Sequence, residues 1–428
     1  MTAAPPGLPP AAGGSDPPAP GAVAAVTKTR AKAEPASASE PDSAPEPTSA
    51  PEPTSAPGPD PEHASESGAE PTPAAIRQVR VGRAIIAATA LLVIAVVAGV
   101  SIGPAQVPLS AVADSLLIHL PWHPTVAVPS IDAAIIWQIR LPRVVLGALV
   151  GAMLAGGGAA YQGVFRNPLA DPYLLGVAAG AGLGATAIII SGANPAFLPP
   201  AAFAGAIGAV ALTYSLGAGA GSRGDATAQG AGRGARAGTA SILLAGVAVA
   251  ALLTAGQTYL QQSHSQSLQS IYSWILGGLS GADWSQVQLI IPYVLVAAVA
   301  LLAHRRLLDV LRVGETEAGS LGVNVARLRL IVVIAATLGA AAAVAVSGLI
   351  GFVGIIVPHA IRLTAGPSYR VVLPASMIGG AAFLVLADIA ARTVQAPAEV
   401  PIGVITAAVG APFFLFVLRS RRARQDFA

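Results

Sequence analysis

Stretches of about twenty residues with almost no Asp, Glu, Lys or Arg recur along this chain from residue 84 onward. A helix needs roughly 20 apolar residues to cross the hydrocarbon core of a bilayer. The eighth stretch is the shortest and is interrupted by Pro358 and Arg362. We therefore predict ten spans, at 84–103, 144–164, 174–192, 198–217, 240–260, 285–303, 330–349, 351–366, 371–391 and 400–418.

Composition supports the same class of fold. The 428 residues are 54% hydrophobic and 11% charged, with a mean hydropathy of +0.67. These values indicate an integral membrane protein, which we predict to be all-α and polytopic. The chain has no cysteine, which excludes disulfides, thiol catalysis and cysteine metal sites.

Residues 1–75 differ from the rest of the chain. They contain 18 of the 36 prolines, and ten acidic residues against three basic ones. Such a segment cannot bury enough apolar surface to offset the entropy lost on ordering. We expect a disordered tail at 1–75 and a ten-helix transmembrane domain at 76–428, which carries a net charge of +10.

Basic residues cluster on alternate sides of the predicted spans. With the N-terminus inside, the cytoplasmic segments hold all but three of the 24 Lys and Arg residues, the exceptions being Arg140, Arg143 and Arg392. Lys and Arg are enriched in cytoplasmic loops of membrane proteins. Both termini are therefore predicted to be cytoplasmic.

The segment from His304 to Arg329 carries eight charged side chains between two apolar runs. Leu307, Leu308 and Leu311 recur at helical spacing, and Gly314 is expected to end that helix. Acidic residues then suit the first turn of a second short helix. We predict a cytoplasmic hairpin that docks a cytosolic partner, with a solvated loop as the alternative. Gly314 permits the turn between its two short helices, and Glu315, Ala318, Leu321 and Gly322 form its docking face.

Several absences restrict the chemistry. No lysine follows Lys32, so the membrane domain cannot contain a lysine-bearing phosphate-binding loop. Intramembrane carboxylates, which ion-coupled carriers usually need, are almost missing. Asp388 lies four residues before Arg392 on one helix face, which favours a structural pair over a proton relay. Glycines at helical spacing, such as Gly147 with Gly151, indicate close helix packing.

A series of motifs can then be considered together: IRLPR at 139–143, NPLADPYLLGV at 167–177, LLAGVA at 243–248, GETEAGSLGV at 314–323, GFVGIIVPHAIRL at 351–363, ADIAAR at 387–392 and EVPIGVITAAVGAPFF at 399–414. In this order they closely resemble the FecCD permeases of ABC-type importers for iron-siderophore, haem and cobalamin. The resemblance covers residues 84 to about 420.

The resemblance implies a permease in a bacterial cytoplasmic membrane, with ten helices and a pathway between two subunits. The second subunit is a further copy or a paralogue. The other implied partners are a cytosolic ABC ATPase dimer, which uses ATP and Mg, and an extracytoplasmic substrate-binding lipoprotein. No cofactor, metal or nucleic acid is expected on this chain. In the family, the segment matching Gly314 to Gly322 contacts the ATPase, and Thr239 and Ser241 correspond to the cytoplasmic gate.

Two further sets of residues are candidates for function. Tyr161, Gln162 and Asn167 are expected either to line the pathway or to bond neighbouring helices. Arg140 and Arg143 have no obvious carboxylate partner except Asp132, so they and Arg392 are expected to dock the binding protein, with lipid anchoring as the alternative. The cargo expected is a ferric siderophore, with haem and cobalamin open. An ion-coupled transporter and a structural scaffold are the other function classes.

Overall fold

The computed structural model describes residues 73–105, 107–117, 129–224 and 231–425. Residues 1–72, which make up nearly all of the predicted tail, lie outside this part of the chain. The described residues form helices and loops without strands, so the all-α prediction is confirmed. The helices are α1 Pro73–Ser101, α2 Leu109–Leu117, α3 Ser130–Ala134, α4 Leu141–Val164, α5 Val177–Ser191, α6 Leu198–Gly224, α7 Ala231–Ser263, α8 Leu268–Ile275, α9 Trp284–Leu311, α10 Glu315–Ser320, α11 Val325–Ser347, α12 Val353–Ala365, α13 Tyr369–Thr393 and α14 Ile402–Gln425.

Seven helical segments of the described chain are long and apolar enough to cross a membrane. They coincide with the first, second, fourth, fifth, sixth, seventh and ninth predicted spans. The third, eighth and tenth predicted spans correspond to shorter apolar helices, α5, α12 and the Ile402–Val417 part of α14. The polytopic architecture is thus confirmed, while the count of ten stays a prediction.

Helix α4 lies at the centre of the bundle. A π-helical turn at Ile135–Arg140 joins it to α3. In the apolar part of the continuous span Ser130–Val164, 78% of the residues are buried, against 22% in the apolar part of Ala240–Ser263, which belongs to α7. Helices α9, α11, α12 and α13 pack around α4. Its run of small residues from Ala155 to Ala160 explains this position, because small side chains let helix backbones approach closely where lipid gives no hydrophobic drive for association.

Two ends of the bundle can be distinguished by their side chains. The loop from Arg312 to Asn324 connects α9 to α11 at what we call the hairpin end. Gly163 near the end of α4 and Tyr369 at the start of α13 are also there, since a Cβ on Gly163 would lie 3.0 Å from the Tyr369 ring. The start of α4 and the last turn of α13 lie at the opposite end, which we call the arginine end.

The predicted close packing of glycines is present. A Cβ added to Gly151 would overlap the carbonyl oxygen of Gly380 and lie 2.7 Å from the Leu384 Cβ, so α4 and α13 touch through their backbones here. Gly180 of α5 and Gly205 of α6 meet in the same way. Backbone atoms cannot swing aside like a flexible side chain, so these contacts require glycine.

We expect Gly151→Val to destabilise the membrane domain by about 1–3 kcal/mol more than Gly208→Val, because overpacking a tight contact has that cost. Both changes carry the same intrinsic helix-propensity effect, but a Cβ on Gly208 meets no atom within 4 Å. Thermal unfolding of the two purified variants in detergent measures the difference. Equal melting temperatures would contradict the close α4–α13 contact.

Candidate functional site: the hairpin, the arginine end and the pathway face

The hairpin is a single short helix between two long ones. Helix α9 continues without a break to Leu311, so the predicted first short helix is the end of a 28-residue span. Helix α10 ends in a Schellman motif, in which Val323 N donates to Ala318 O and Gly322 N donates to Gly319 O. Gly322 has φ +82°, a left-handed conformation that suits glycine. Asn324 then caps α11 by accepting from Arg327 N at 2.9 Å.

Part of the predicted docking face is turned inward. Ala318 is fully buried, and Gly314 is buried too. The Glu315 carboxylate accepts from Arg329 Nη2 at 2.7 Å, and both side chains are mostly covered. Gly314 lies in the turn between α9 and α10, whereas Glu315 and Ala318 do not form the exposed docking face expected of them. They hold the hairpin against α11 and the core.

The outward face of the hairpin carries two exposed apolar side chains among polar ones such as Thr316, Glu317 and Ser320. Val313 and Leu321 are 68% and 69% exposed, and Gly322 is exposed between α10 and α11. Sequence reasoning identified Leu321 and Gly322 but missed Val313. Its position directly before Gly314, where α9 has ended, could have indicated that its side chain is free to point outward. A rigidly anchored helix with exposed apolar residues on both sides fits a surface that docks another protein.

Charged side chains are concentrated at the arginine end. Arg143 donates to Asp388 through Nε and Nη2 at 2.9 and 2.8 Å, and to Glu399 through Nη1 at 2.7 Å. Asp388 also pairs with Arg392 at 3.5 Å, and Arg392 Nη2 donates to Gly99 O. These groups tie the outer ends of α1, α4 and α13 together. We call Arg143, Asp388, Arg392 and Glu399 the arginine network.

The arginines assigned to docking are engaged inside the chain. Arg140, Arg143 and Arg392 are 3%, 7% and 3% exposed. Arg140 Nη1 donates to Val100 O at 2.8 Å and Ser101 O at 2.7 Å, and its Nη2 donates to Ala105 O. The expectation that Arg143 lacks a carboxylate is wrong, because its partners lie 245 and 256 residues away in sequence. The geometry gives these three residues a structural role, and it does not support a docking role for them.

The polar residues near the end of α4 bond neighbouring helices. Tyr161 is fully buried, and its hydroxyl lies 2.7 Å from the Thr337 Oγ1 of α11. Gln162 Nε2 donates to Gly354 O of α12 at 3.0 Å. Asn167 is only half-buried and closes a local turn by accepting from Leu169 N. Of the two roles predicted, the structure favours interhelical bonding for Tyr161 and Gln162, and neither role for Asn167.

One face of α7 is polar without being charged. Thr254, Gln257 and Gln261 recur at helical spacing and line a cavity of about 420 Å³ with Tyr173 and Tyr272. Sequence reasoning placed only the start of this helix in the pathway. Ser241 lies in α7 and is half-buried, while the side chain of Thr239 lies outside the described residues. We call this surface of Thr254, Gln257 and Gln261 the pathway face.

These features define a class of protein: a polytopic helical membrane permease with a protruding hairpin at one end. The model of the FecCD transport family matches residues 91–420, most of the chain. The chain belongs to this family, and the predicted recognition is confirmed.

Three relatives of this chain are named for different cargos. A cobalamin import system permease, BtuC, of Halobacterium salinarum is 45% identical over 69% of this chain and 76% of its own length. A hemin transport permease, HmuU, of Yersinia pestis is 41% identical over 68% and 85%. An Fe(3+)-citrate import permease, YfmE, of Bacillus subtilis is 34% identical over 82% and 98%.

A solved structure shares the fold. The solved structure is described as an inward-facing conformation of a metal-chelate type ABC transporter. Its chain superposes on this one with a TM-score of 0.67 at 29% identity. The match covers 79% of this chain and 99% of the solved one.

Proposed function

We propose that this chain is the permease subunit of an ATP-driven ABC importer that carries a metal chelate. The observation that carries the proposal is the hairpin, whose exposed Val313 and Leu321 flank a helix fixed by the Glu315–Arg329 pair. Family membership and the import systems named for the relatives support it. The hairpin end then faces the cytosol, and both termini are cytoplasmic.

Energy is supplied by a separate cytosolic ATPase dimer, which binds ATP and Mg. The membrane domain contains no lysine and so lacks a phosphate-binding loop of its own. Exposed apolar residues at a fixed helix suit a protein partner, since the fully buried core of a protein interface is more apolar than its polar rim. The chain itself catalyses no reaction in this scheme.

The cargo passes along the pathway face, with a second permease subunit forming the opposite wall. An uncharged lining of threonine and glutamine solvates a polar chelate without holding it strongly, so the cargo can leave. Recognition then belongs to an extracytoplasmic substrate-binding lipoprotein, which docks at the arginine end through groups other than the buried guanidiniums.

The relatives indicate the class of cargo, but they do not indicate which member of that class this chain carries. We propose a chelated metal, with a ferric siderophore as the sequence-based expectation. Cobalamin and haem are tested beside it, because the cobalamin and hemin permeases are 45% and 41% identical to this chain.

Reconstitution tests the proposal directly. The chain is placed in vesicles together with its partner ATPase and binding protein, and uptake of labelled ferric siderophore, haem and cobalamin is measured with ATP or a non-hydrolysable analogue. We expect ATP-dependent uptake of one cargo. Uptake that collapses with an uncoupler while ATP is maintained would instead indicate an ion-coupled carrier.

The pathway face has its own prediction. Thr254→Phe should reduce uptake at least about tenfold while ATPase binding is kept, because a bulky ring narrows a passage that a large chelate must fill. Leu252→Phe, which enlarges an exposed side chain on the opposite side of α7, serves as the matched control. Equal uptake by the two variants would place the pathway elsewhere.

A further inference from the structure

Besides the cavity along the pathway face, a smaller cavity lies at the hairpin end of the bundle. It holds about 240 Å³, the space of about eight water molecules at roughly 30 Å³ each. The ends of α4, α9 and α12 and the start of α13 meet around it. Its lining residues are Gln162, Gly163, Arg166, Pro168, Arg312, Arg362 and Tyr369.

Three arginines line this cavity, and we call Arg166, Arg312 and Arg362 the arginine pocket. The nearest carboxylate, Asp309, does not neutralise them. It accepts from Ser368 Oγ and from Tyr369 N, both at 2.7 Å, and so caps α13. Its contact with Arg312 is 3.5 Å long, and it also lies 3.7 Å from Arg370. The pocket therefore keeps a positive charge.

Arg362 is held in place but incompletely bonded. Its guanidinium lies over the Tyr369 ring, 5.7 Å from the centroid, and Nη2 makes a long 3.5 Å contact with the Tyr369 hydroxyl. Nη1 is buried and has no hydrogen-bond partner among the described residues. A buried cationic donor without an acceptor is unfavourable, which indicates that an acceptor from outside the chain completes it.

Arg166 adds an independent observation. It follows the end of α4 and has φ +50°, a left-handed conformation that few residues other than glycine adopt. Strained residues of this kind cluster at binding sites, where the surroundings hold them. The Asn167 turn next to it, closed by the bond to Leu169 N, contributes that support.

We propose that the arginine pocket receives an acidic side chain of the docked ATPase. This inference rests on the proposed function and adds a second contact to the apolar hairpin. Arg312 directly precedes the exposed Val313, so the pocket is continuous with the docking surface. Guanidinium groups pair bidentately with carboxylates. An anionic lipid headgroup fits less well, because the end of α4, which belongs to the most buried of the seven long spans, forms part of the wall of the pocket.

The distribution of lysine allows a direct test. Only Lys28 and Lys32 occur in the chain, so replacing both with arginine gives a lysine-free protein. Arg166→Lys in that background places one side-chain amine at the pocket. A carbodiimide joins an amine to a contacting carboxylate without a spacer. We expect Arg166→Lys to form an amide with one ATPase carboxylate, identified by mass spectrometry, whereas Arg306→Lys, an exposed position outside the pocket, does not form that link.

Affinity provides the second readout. Arg362→Gln should weaken ATPase binding in detergent about tenfold and reduce its dependence on salt, since one screened charge pair is lost. Arg362→Lys keeps the charge and should bind within about threefold of the unchanged protein. It also controls for misfolding of the glutamine variant.

The outcomes separate this inference from the proposed function. If the unchanged protein binds no ATPase, the proposed function itself fails. If it binds ATPase, but Arg362→Gln binds equally well and no pocket crosslink forms, the pocket has another occupant. Anionic phospholipid retained by the unchanged protein and lost from Arg362→Gln would identify that occupant as a lipid headgroup and overturn the inference.

Discussion

Asp388→Asn is expected to destabilise the membrane domain by about 3–5 kcal/mol, the usual cost of removing one partner from a buried ion pair. Asp388 is 1% exposed, accepts hydrogen bonds from Arg143 and forms an ion pair with Arg392. Without its charge, two guanidiniums lie buried near each other with only Glu399 to balance them. Thermal unfolding in detergent, together with the abundance of the variant in membranes, measures the effect.

Glu399→Gln is the control for this prediction. Glu399 bonds Arg143 but is 33% exposed, so water can replace part of what is lost. We expect a loss of about 1 kcal/mol or less, as for other partly exposed pairs. The Arg143→Gln, Asp388→Asn double variant should lose less than the sum of its single changes, because contacting residues couple. If Asp388→Asn lowers the melting temperature no more than Glu399→Gln does, the arginine network does not hold α1, α4 and α13 together.

The same network changes how binding-protein docking has to be tested. Arg143→Glu with Arg392→Glu would put two further negative charges beside Asp388 and Glu399. The bundle would then lose its clamp, and any loss of association would report misfolding. Docking is better tested with substitutions of exposed residues near the arginine end, such as Ile131, which is 72% exposed.

Much of the fold was predictable because the bilayer constrains it. The length of apolar stretches and the glycine spacing follow directly from lipid physics, so the long spans and the Gly151 contact could be read from the sequence. The partners of Arg143 could not. Asp388 and Glu399 lie about 250 residues away, and local spacing relates Asp388 only to Arg392, four residues on in the same helix.

The hairpin shows the same limit at short range. Its position followed from the charges between two apolar runs, but the direction of each side chain depends on what packs above it. Ala318 is buried because α10 lies against the bundle, and Glu315 is covered because Arg329, fourteen residues later, reaches back to it. Only Leu321 and Gly322 of the five predicted residues face outward.

Exposure also decides which residue is the best probe of docking. Gly322→Trp would place a bulky side chain in open space, but its left-handed backbone, with φ +82°, makes any side chain unfavourable by about 1–2 kcal/mol. If ATP hydrolysis no longer drove transport in that variant, the cause could be either a blocked interface or a destabilised turn, and the result would not distinguish them. Leu321 has a negative φ of −83°, which any side chain allows, and is 69% exposed, so changing it leaves the hairpin intact.

Leu321→Glu is expected to lower ATPase affinity roughly 30-fold, which corresponds to about 2 kcal/mol for an apolar anchor at the centre of an interface. ATP-driven uptake should fall with it, because a charge desolvated against an apolar partner surface is unfavourable. Leu321→Met should keep both activities, and Leu109→Glu, which adds the same charge at an equally exposed leucine of α2, should keep ATPase binding. Binding is measured by titrating purified ATPase onto the permease in detergent, and uptake in vesicles. Since the variant changes only an exposed side chain, its melting temperature should match the unchanged protein. Unchanged affinity and uptake in Leu321→Glu would show that the exposed apolar residues of the hairpin are not the contact through which the ATPase drives the membrane domain.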